Sequence, residues 1–175
     1  MTSTALFIRP ETPSDIQAIH DLTAAAFASL EISDHTEQFV IDALRAAGAL
    51  SLSLVAELDG KLVGHIAISP ITLSDGSQDW YGAGPLSVLP ELQRQGIGSA
   101  LMRAGLERLQ ELGARGCCLV GHPGYYERFG FIHPAGLGME GAPAEAFFAL
   151  AFNGKYPEGT INFHPAFFAS GSQSG

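Results

Sequence analysis

The chain has little charge, little sulfur and no long apolar run, and each shortage removes a class of protein. Only 15% of its 175 residues are charged while 46% are apolar, which excludes a disordered chain and points to a compact globular body. Basic residues are the scarcer sign, 9 Lys and Arg against 18 Asp and Glu, for a net charge of −9. An acidic surface repels polyphosphate backbones, so no nucleic acid partner is expected, whereas a cationic amine is favoured on approach. Nowhere do about 18 apolar residues stand together, and Met1 to Arg9 has no basic start leading into an apolar stretch. No membrane partner is expected, and the expected location is cytoplasmic. The two cysteines, Cys117 and Cys118, are neighbours. Successive side chains of a strand point to opposite faces, so the pair reads as core residues and not as a disulfide. It also lacks the gap a zinc pair needs, and no metal is expected.

A chain of this length suits one domain, expected over residues 1–169 with a core from about 6 to 151 and a flexible tail at 170–175. Leu6 to Arg9 reads as a strand. Thr12-Pro13-Ser14-Asp15 then supplies an N-cap, a first-turn proline and an acid for a helix carrying Ile16, Ile19, Leu22, Ala26 and Phe27. A second helix carries Phe39, Val40, Ala43, Leu44 and Ala47 and stops at Gly48. The polar connection from Ser29 to Thr36 holds Glu31, Asp34 and His35. Leu50 to Glu57 alternates as a strand, Asp59-Gly60 is a hairpin turn, and Lys61 to Ser69 returns.

Trp80 to Val88 reads as a strand interrupted by Gly84-Pro85. Proline cannot donate to a ladder, so the reading is a bulge or splay that leaves nearby amides free, with an ordinary edge strand as the alternative. From Gly98 a helix runs through Leu101, Met102, Leu106, Leu109 and Leu112 to Gly113, and Gly116 to Val120 forms a buried strand. Such a crossover is right-handed and makes its two strands parallel, bringing the Gly96 turn and Gly121-His122 to one rim. His122 to Phe129 reads as a loop and short helix, Gly136 to Pro143 as a loop, and Ala146–Phe152 and Thr160–His164 as late strands. The pairs Phe147-Phe148 and Phe167-Phe168 suggest a sheet-edge contact or a homodimer.

The run Gln93-Arg94-Gln95-Gly96-Ile97-Gly98-Ser99-Ala100, placed between a strand and a helix, has the features of a phosphate cradle. Two glycines two apart let the backbone approach an anion, and the first helical amides point at it. Leu101 stands where a dinucleotide fingerprint needs its third small residue, and no Gly-Lys-Ser/Thr follows. The pattern Gln/Arg-x-x-Gly-x-Gly/Ala fits better. Together with Gly84-Pro85-Leu86-Ser87-Val88-Leu89-Pro90 and Tyr125-Tyr126-Glu127-Arg128-Phe129-Gly130-Phe131, it resembles the GNAT superfamily of N-acetyltransferases, and most nearly its YhbS-like bacterial branch.

The resemblance implies an α/β fold: a central, mostly antiparallel six- to seven-stranded sheet, helices on both faces, and a parallel strand pair splayed around an acyl-CoA site. It implies acetyl-CoA as acetyl-donor cosubstrate, held by Leu86, Ser87 and Val88 along the pantetheine arm and by Gln93, Arg94, Gln95, Gly96, Ile97, Gly98, Ser99 and Ala100 at the pyrophosphate. The acceptor would be a primary amine of a small molecule or protein, attacking directly in a ternary complex. Tyr126, four positions before Gly130, matches the family tyrosine that protonates the leaving thiolate, and Tyr125 is the one-residue alternative. Gly121-His122-Pro123-Gly124 departs from the family's usual asparagine and longer helix, which makes His122 a candidate relay. No motif fixes the base; Glu31, His35, Glu37, Glu57 and His65 are candidates by chemistry alone. Two other readings remain at this stage: a non-catalytic acyl-CoA-binding regulatory module, and a nucleotide-binding domain using the Gly96 turn.

Overall fold

A computed structural model describes residues 5–28 and 35–168. Its strands are β1 (Leu6–Pro10), β2 (Leu52–Leu58), β3 (Lys61–Leu73), β4 (Trp80–Val88), β5 (Gly116–Val120), β6 (Leu137–Met139), β7 (Phe147–Ala151) and β8 (Gly159–Phe163). Three α-helices accompany them among the described residues: α1 (Ile16–Phe27), α2 (Glu37–Ala46) and α3 (Ile97–Glu111). The main sheet runs β1-β2-β3-β4-β5-β7. Its neighbours are antiparallel except β4 and β5, the pair that α3 connects.

Strand alternation assigns the two faces. Leu54 and Ala56 of β2 and Ile66 and Ile68 of β3 meet Leu101, Met102 and Leu109 of α3. Val55 and Ala67, one step out of phase, meet Ile19 of α1 and Ile41 of α2 on the opposite side. Helices therefore cover both faces, and the period-2 pattern that marks these strands also decides which helix each residue serves.

Among the described residues the sheet holds eight strands, against the expected six or seven. The addition comes from β3, which runs on to Leu73. It pairs with β2 as far as Ile68 and with β8 from Ile71. Pro70 sits at this handover, where a missing N–H interrupts neither ladder. The segment expected to be a loop at Gly136 to Pro143 contains β6, which pairs parallel to β8. Three residues centred on Gly138 carry no alternation for a sequence reading to detect. The Phe147-Phe148 pair also differs from expectation: their exposures are 2% and 0%, and they pack on opposite faces of β7. Both side chains are core, on β7 at the end of the main sheet order.

The feature that makes the site is in β4. Leu86 pairs with Ile66 and Ala83 with Ile68, so three steps on β4 face two on β3 and one residue of the Gly84-Pro85 pair is extra. On the other side β4 pairs with β5 only from Trp80 to Gly82. Beyond Gly82 the parallel strands part.

At the far edge Arg9 of β1 binds Asp15 ahead of α1 (2.7 Å) and Glu57 of β2 (2.6 Å). Hydrogen bonds from Arg9 hold the buried Asp15 carboxyl well below the usual carboxylate range, against the opposing effect of burial. A depressed folded pKa stabilises the protein above the unfolded value, about 3.9, and loses that effect as pH falls toward the folded one. Asp15→Asn is therefore expected to lower stability at neutral pH, with the gap from wild type closing below about pH 3; urea unfolding across pH 2–7 measures it.

Candidate active site

The gap between β4 and β5 opens into a cleft of about 540 Å³. It is lined by Leu86 and Val88 of β4, by the turn that leads into α3, and by Tyr125 and Arg128. In that turn Gly96 adopts a left-handed conformation with φ of 87°, and no side chain caps α3. A β-carbon at Gly96 would meet nothing within 4 Å, so backbone conformation and not space reserves the position for glycine. The Gly96 carbonyl accepts the Ala100 amide at 3.0 Å. The amides of Ile97, Gly98 and Ser99 precede the first helical hydrogen bond, and these three residues line the cleft at the positive end of a 15-residue helix. This donor set suits a phosphorylated ligand.

The two tyrosines take different places. The Tyr125 hydroxyl lies 2.9 Å from Ser99 Oγ, at the phosphate end of the cleft. Tyr126 stands behind it, with the two rings edge to face at 5.0 Å. Its ring packs on Phe148 and Phe131 and passes over Gly121, where a β-carbon would come within 2.5 Å of the ring. Gly121 follows directly on β5, so Tyr126 occupies the β5 side of the parting strands. Burial raises its phenol above the ordinary value of 10, with the neighbouring Tyr125 adding to the effect. Tyr126 is a protonated donor at neutral pH.

Leu86, Val88, Gln93, Arg94, Gly96, Ile97, Gly98 and Ser99 gather around one space. Ile97 offers only backbone, its side chain being buried in the core. Gln93 Nε2 donates to the Val88 carbonyl at 3.2 Å, on the side where β5 is missing. Four positions differ. Tyr126 does not line the cleft, where Tyr125 stands in front of it. Ser87 faces away toward α1, 1% exposed with its hydroxyl 3.4 Å from that of Thr23. Ala100 commits its amide to the helix, and Gln95 points outward. Among the base candidates, Glu57 is tied to Arg9, and His65 is 0% exposed with burial pushing it down to about 4. Glu31 lies outside the described residues. His122 is exposed on the loop after β5.

Arg128 is a cleft residue that the motif reading passed over. It lies one helical turn after Tyr125, the spacing that places two side chains on one face, and this was the available signal.

Residues 16–131 match the acetyltransferase (GNAT) family. The chain is 35% identical over 127 residues to the uncharacterized N-acetyltransferase YhbS of Escherichia coli K12, an alignment spanning 72% of this chain and 73% of that protein. It is 34% identical to YjhQ of the same strain, over 70% of this chain and 67% of that one. Among solved structures, a GNAT family acetyltransferase from Brucella melitensis in complex with acetyl-CoA shares 46% identity with a TM-score of 0.83, over 93% of this chain and 98% of that one. YhbS from Escherichia coli in complex with CoA shares 30% with a TM-score of 0.85, over 95% and 94%.

Because the Gly121 position leaves no room for a methyl group under Tyr126, Gly121→Ala is expected to cost about 1–3 kcal/mol. The loss should shrink when Tyr126→Ala is combined with it, since the two residues share one contact. Denaturant unfolding of the four proteins of this cycle measures the coupling.

Proposed function

The chain belongs to the GNAT acetyltransferase family and is an N-acetyltransferase with acetyl-CoA as its acetyl donor; from this premise we propose that it acetylates a primary amine of a small molecule or protein by direct attack in a ternary complex. The observation that carries the reading is the cleft, which the parted strand β4 and the open amides of α3 line together, with Tyr126 standing directly behind the lining Tyr125. Acetyl-CoA, when bound, supplies an activated thioester.

The chain's own groups fill the remaining roles. Amides of Ile97, Gly98 and Ser99 bind pyrophosphate, and Arg94 adds charge at the same turn. The edge of β4 from Ala83 to Val88, unpaired by β5, offers backbone groups to the pantetheine arm as an additional strand would. Gln93 yields the Val88 carbonyl when the arm arrives. Donors along the same edge face the acyl oxygen as its charge develops. Tyr126, at the β5 side of the gap, holds the proton that the leaving sulfur needs. Tyr125, anchored to Ser99, serves binding at the phosphate end. A single domain in a cytoplasmic, reducing setting belongs to the same reading, supported by two buried free cysteines.

The test is release of CoA thiol, followed with a thiol-reactive dye, against pools of small amines and peptides. Turnover with some amine is expected, and binding of acetyl-CoA without turnover on any pool would favour the non-catalytic alternative. In an active pairing, Tyr126→Phe is expected to lower kcat by roughly 10²–10³ with little change in acetyl-CoA affinity. Tyr125→Phe should leave kcat within a few-fold; the reverse ranking would transfer the acid role to Tyr125.

A further inference from the structure

We propose that Arg128 is a phosphate clamp of the acetyl-donor site, acting together with the α3 amides. This rests on the acetyl-CoA reading above and assigns a residue outside the pyrophosphate loop. Three observations carry it. First, Arg128 lines the same cleft as Gly96, Gly98 and Ser99. Second, its guanidinium is held in place before any ligand arrives. Nε donates to the Tyr125 carbonyl at 2.9 Å, and the group lies over the Tyr125 ring at 4.5 Å from the centroid. One of five guanidinium N–H donors is used in this way, and the two Nη groups remain. Tyr125 is itself fixed to Ser99, so Arg128 and the helix amides form a single rigid frame.

Third, the charges are arranged for an anion. The chain has twice as many acids as bases, yet the cleft lining contains Arg94 and Arg128 and no carboxylate. Arg9 and Arg45 spend their charge on Asp15, Glu57 and Glu11. Among the described residues Arg128 has no ion pair. Its sequence neighbour Glu127 turns both carboxylate oxygens to the Gly124 amide, at 2.9 and 3.1 Å, and attracts Arg128 without forming an ion pair with it. A stacked, forked cation lining one cleft with open helical amides is built for a phosphate, because guanidinium matches two phosphate oxygens at once. Acetyl-CoA has two sources of that chemistry, the pyrophosphate and the 3′-phosphate.

Titration calorimetry of the full chain with CoA and with dephospho-CoA, which lacks the 3′-phosphate, tests the assignment in wild type, Arg128→Gln and Arg128→Lys. Arg128→Gln is expected to weaken CoA binding about 10- to 100-fold, the range of a charge-assisted hydrogen bond to an ion. Its affinity should also depend less steeply on salt than wild type. Arg128→Lys should fall between the two, because it keeps charge and loses the fork. A penalty that persists with dephospho-CoA places the contact at the pyrophosphate, and one that vanishes places it at the 3′-phosphate. CoA affinity of Arg128→Gln within about twofold of wild type would overturn the proposal, as would a loss that leaves the salt dependence unchanged. Either result leaves the acetyltransferase reading intact, whereas a wild-type protein that binds no CoA would remove both.

Discussion

The site depends on a ladder that stops. Strands β4 and β5 share three rungs, from Trp80–Gly116 to Gly82–Cys118, and none after them. The cause lies on the opposite side of β4, where the extra residue at Gly84-Pro85 breaks register with β3 and turns the strand's second half away from β5. Each backbone N–H and C=O released from a ladder must find another partner or water. Here the released groups face a cleft and not the core, so the sheet is incomplete at one place. A ligand with amide groups of its own fits the missing rungs. The rest of the fold frames this break. α3 connects the two strands and packs Leu101, Met102 and Leu109 against β2 and β3. β7 holds β5 from its other side over five rungs, from Gly116–Ala151 to Val120–Phe147.

Two of the cations away from the cleft are held in ion pairs, Arg9 by Asp15 and Glu57 and Arg45 by Glu11 and Asp42. These pairs fasten β1 to β2 and α2 to the segment after β1. Arg94 and Arg128 stand at the cleft without such partners among the described residues, beside the positive end of α3. An acidic protein can bind a polyanion in this way, because the field at a narrow mouth is set by its nearest charges and dipoles and only weakly by the net total.

The framework was legible in the sequence where a local pattern and its tertiary use coincide. The period-2 runs of β2 and β3, the Asp59-Gly60 turn and the Gly96 cradle all obey this, and Asp59 and Gly60 indeed take positive φ values of 52° and 78°. The β4 interruption was legible for the same reason: a proline inside a strand pattern has few outlets. β6 and the extension of β3 were not, because each exists only through its pairing with β8, and three residues around Gly138 have no intrinsic strand signal. The facing of individual site residues was also hidden. Ser87 sits between two cleft residues and points the other way by strand alternation, a consequence available from the period-2 rule once the strand is accepted. Arg128 was hidden because motif matching assigns roles to the tyrosine and glycines and leaves the residue between them unread.

The face of the sheet opposite α3 shows why buried titratable groups need not be part of the chemistry. Glu11 accepts hydrogen bonds from Arg45 and from Ser53; burial opposes its charge, but these donors prevail and hold its pKa below the usual value. An ionised Glu11 has no proton to give, so the Ser53 hydrogen points to Glu11 and Ser53 Oγ accepts from His65 Nε2, 2.7 Å away. Nε2 therefore carries a hydrogen, and because burial pushes the pKa down to about 4 the ring is the neutral Nε2–H tautomer at neutral pH, with Nδ1 left as an acceptor with no partner. The ring is fully enclosed and on the far side of the sheet from Leu86 and Val88. The string Arg45–Glu11–Ser53–His65 instead ties α2 through the start of the chain into the middle of β3. It braces that strand against which β4 is forced out of register, so an arrangement that resembles a proton relay contributes by holding the break in the sheet where it is.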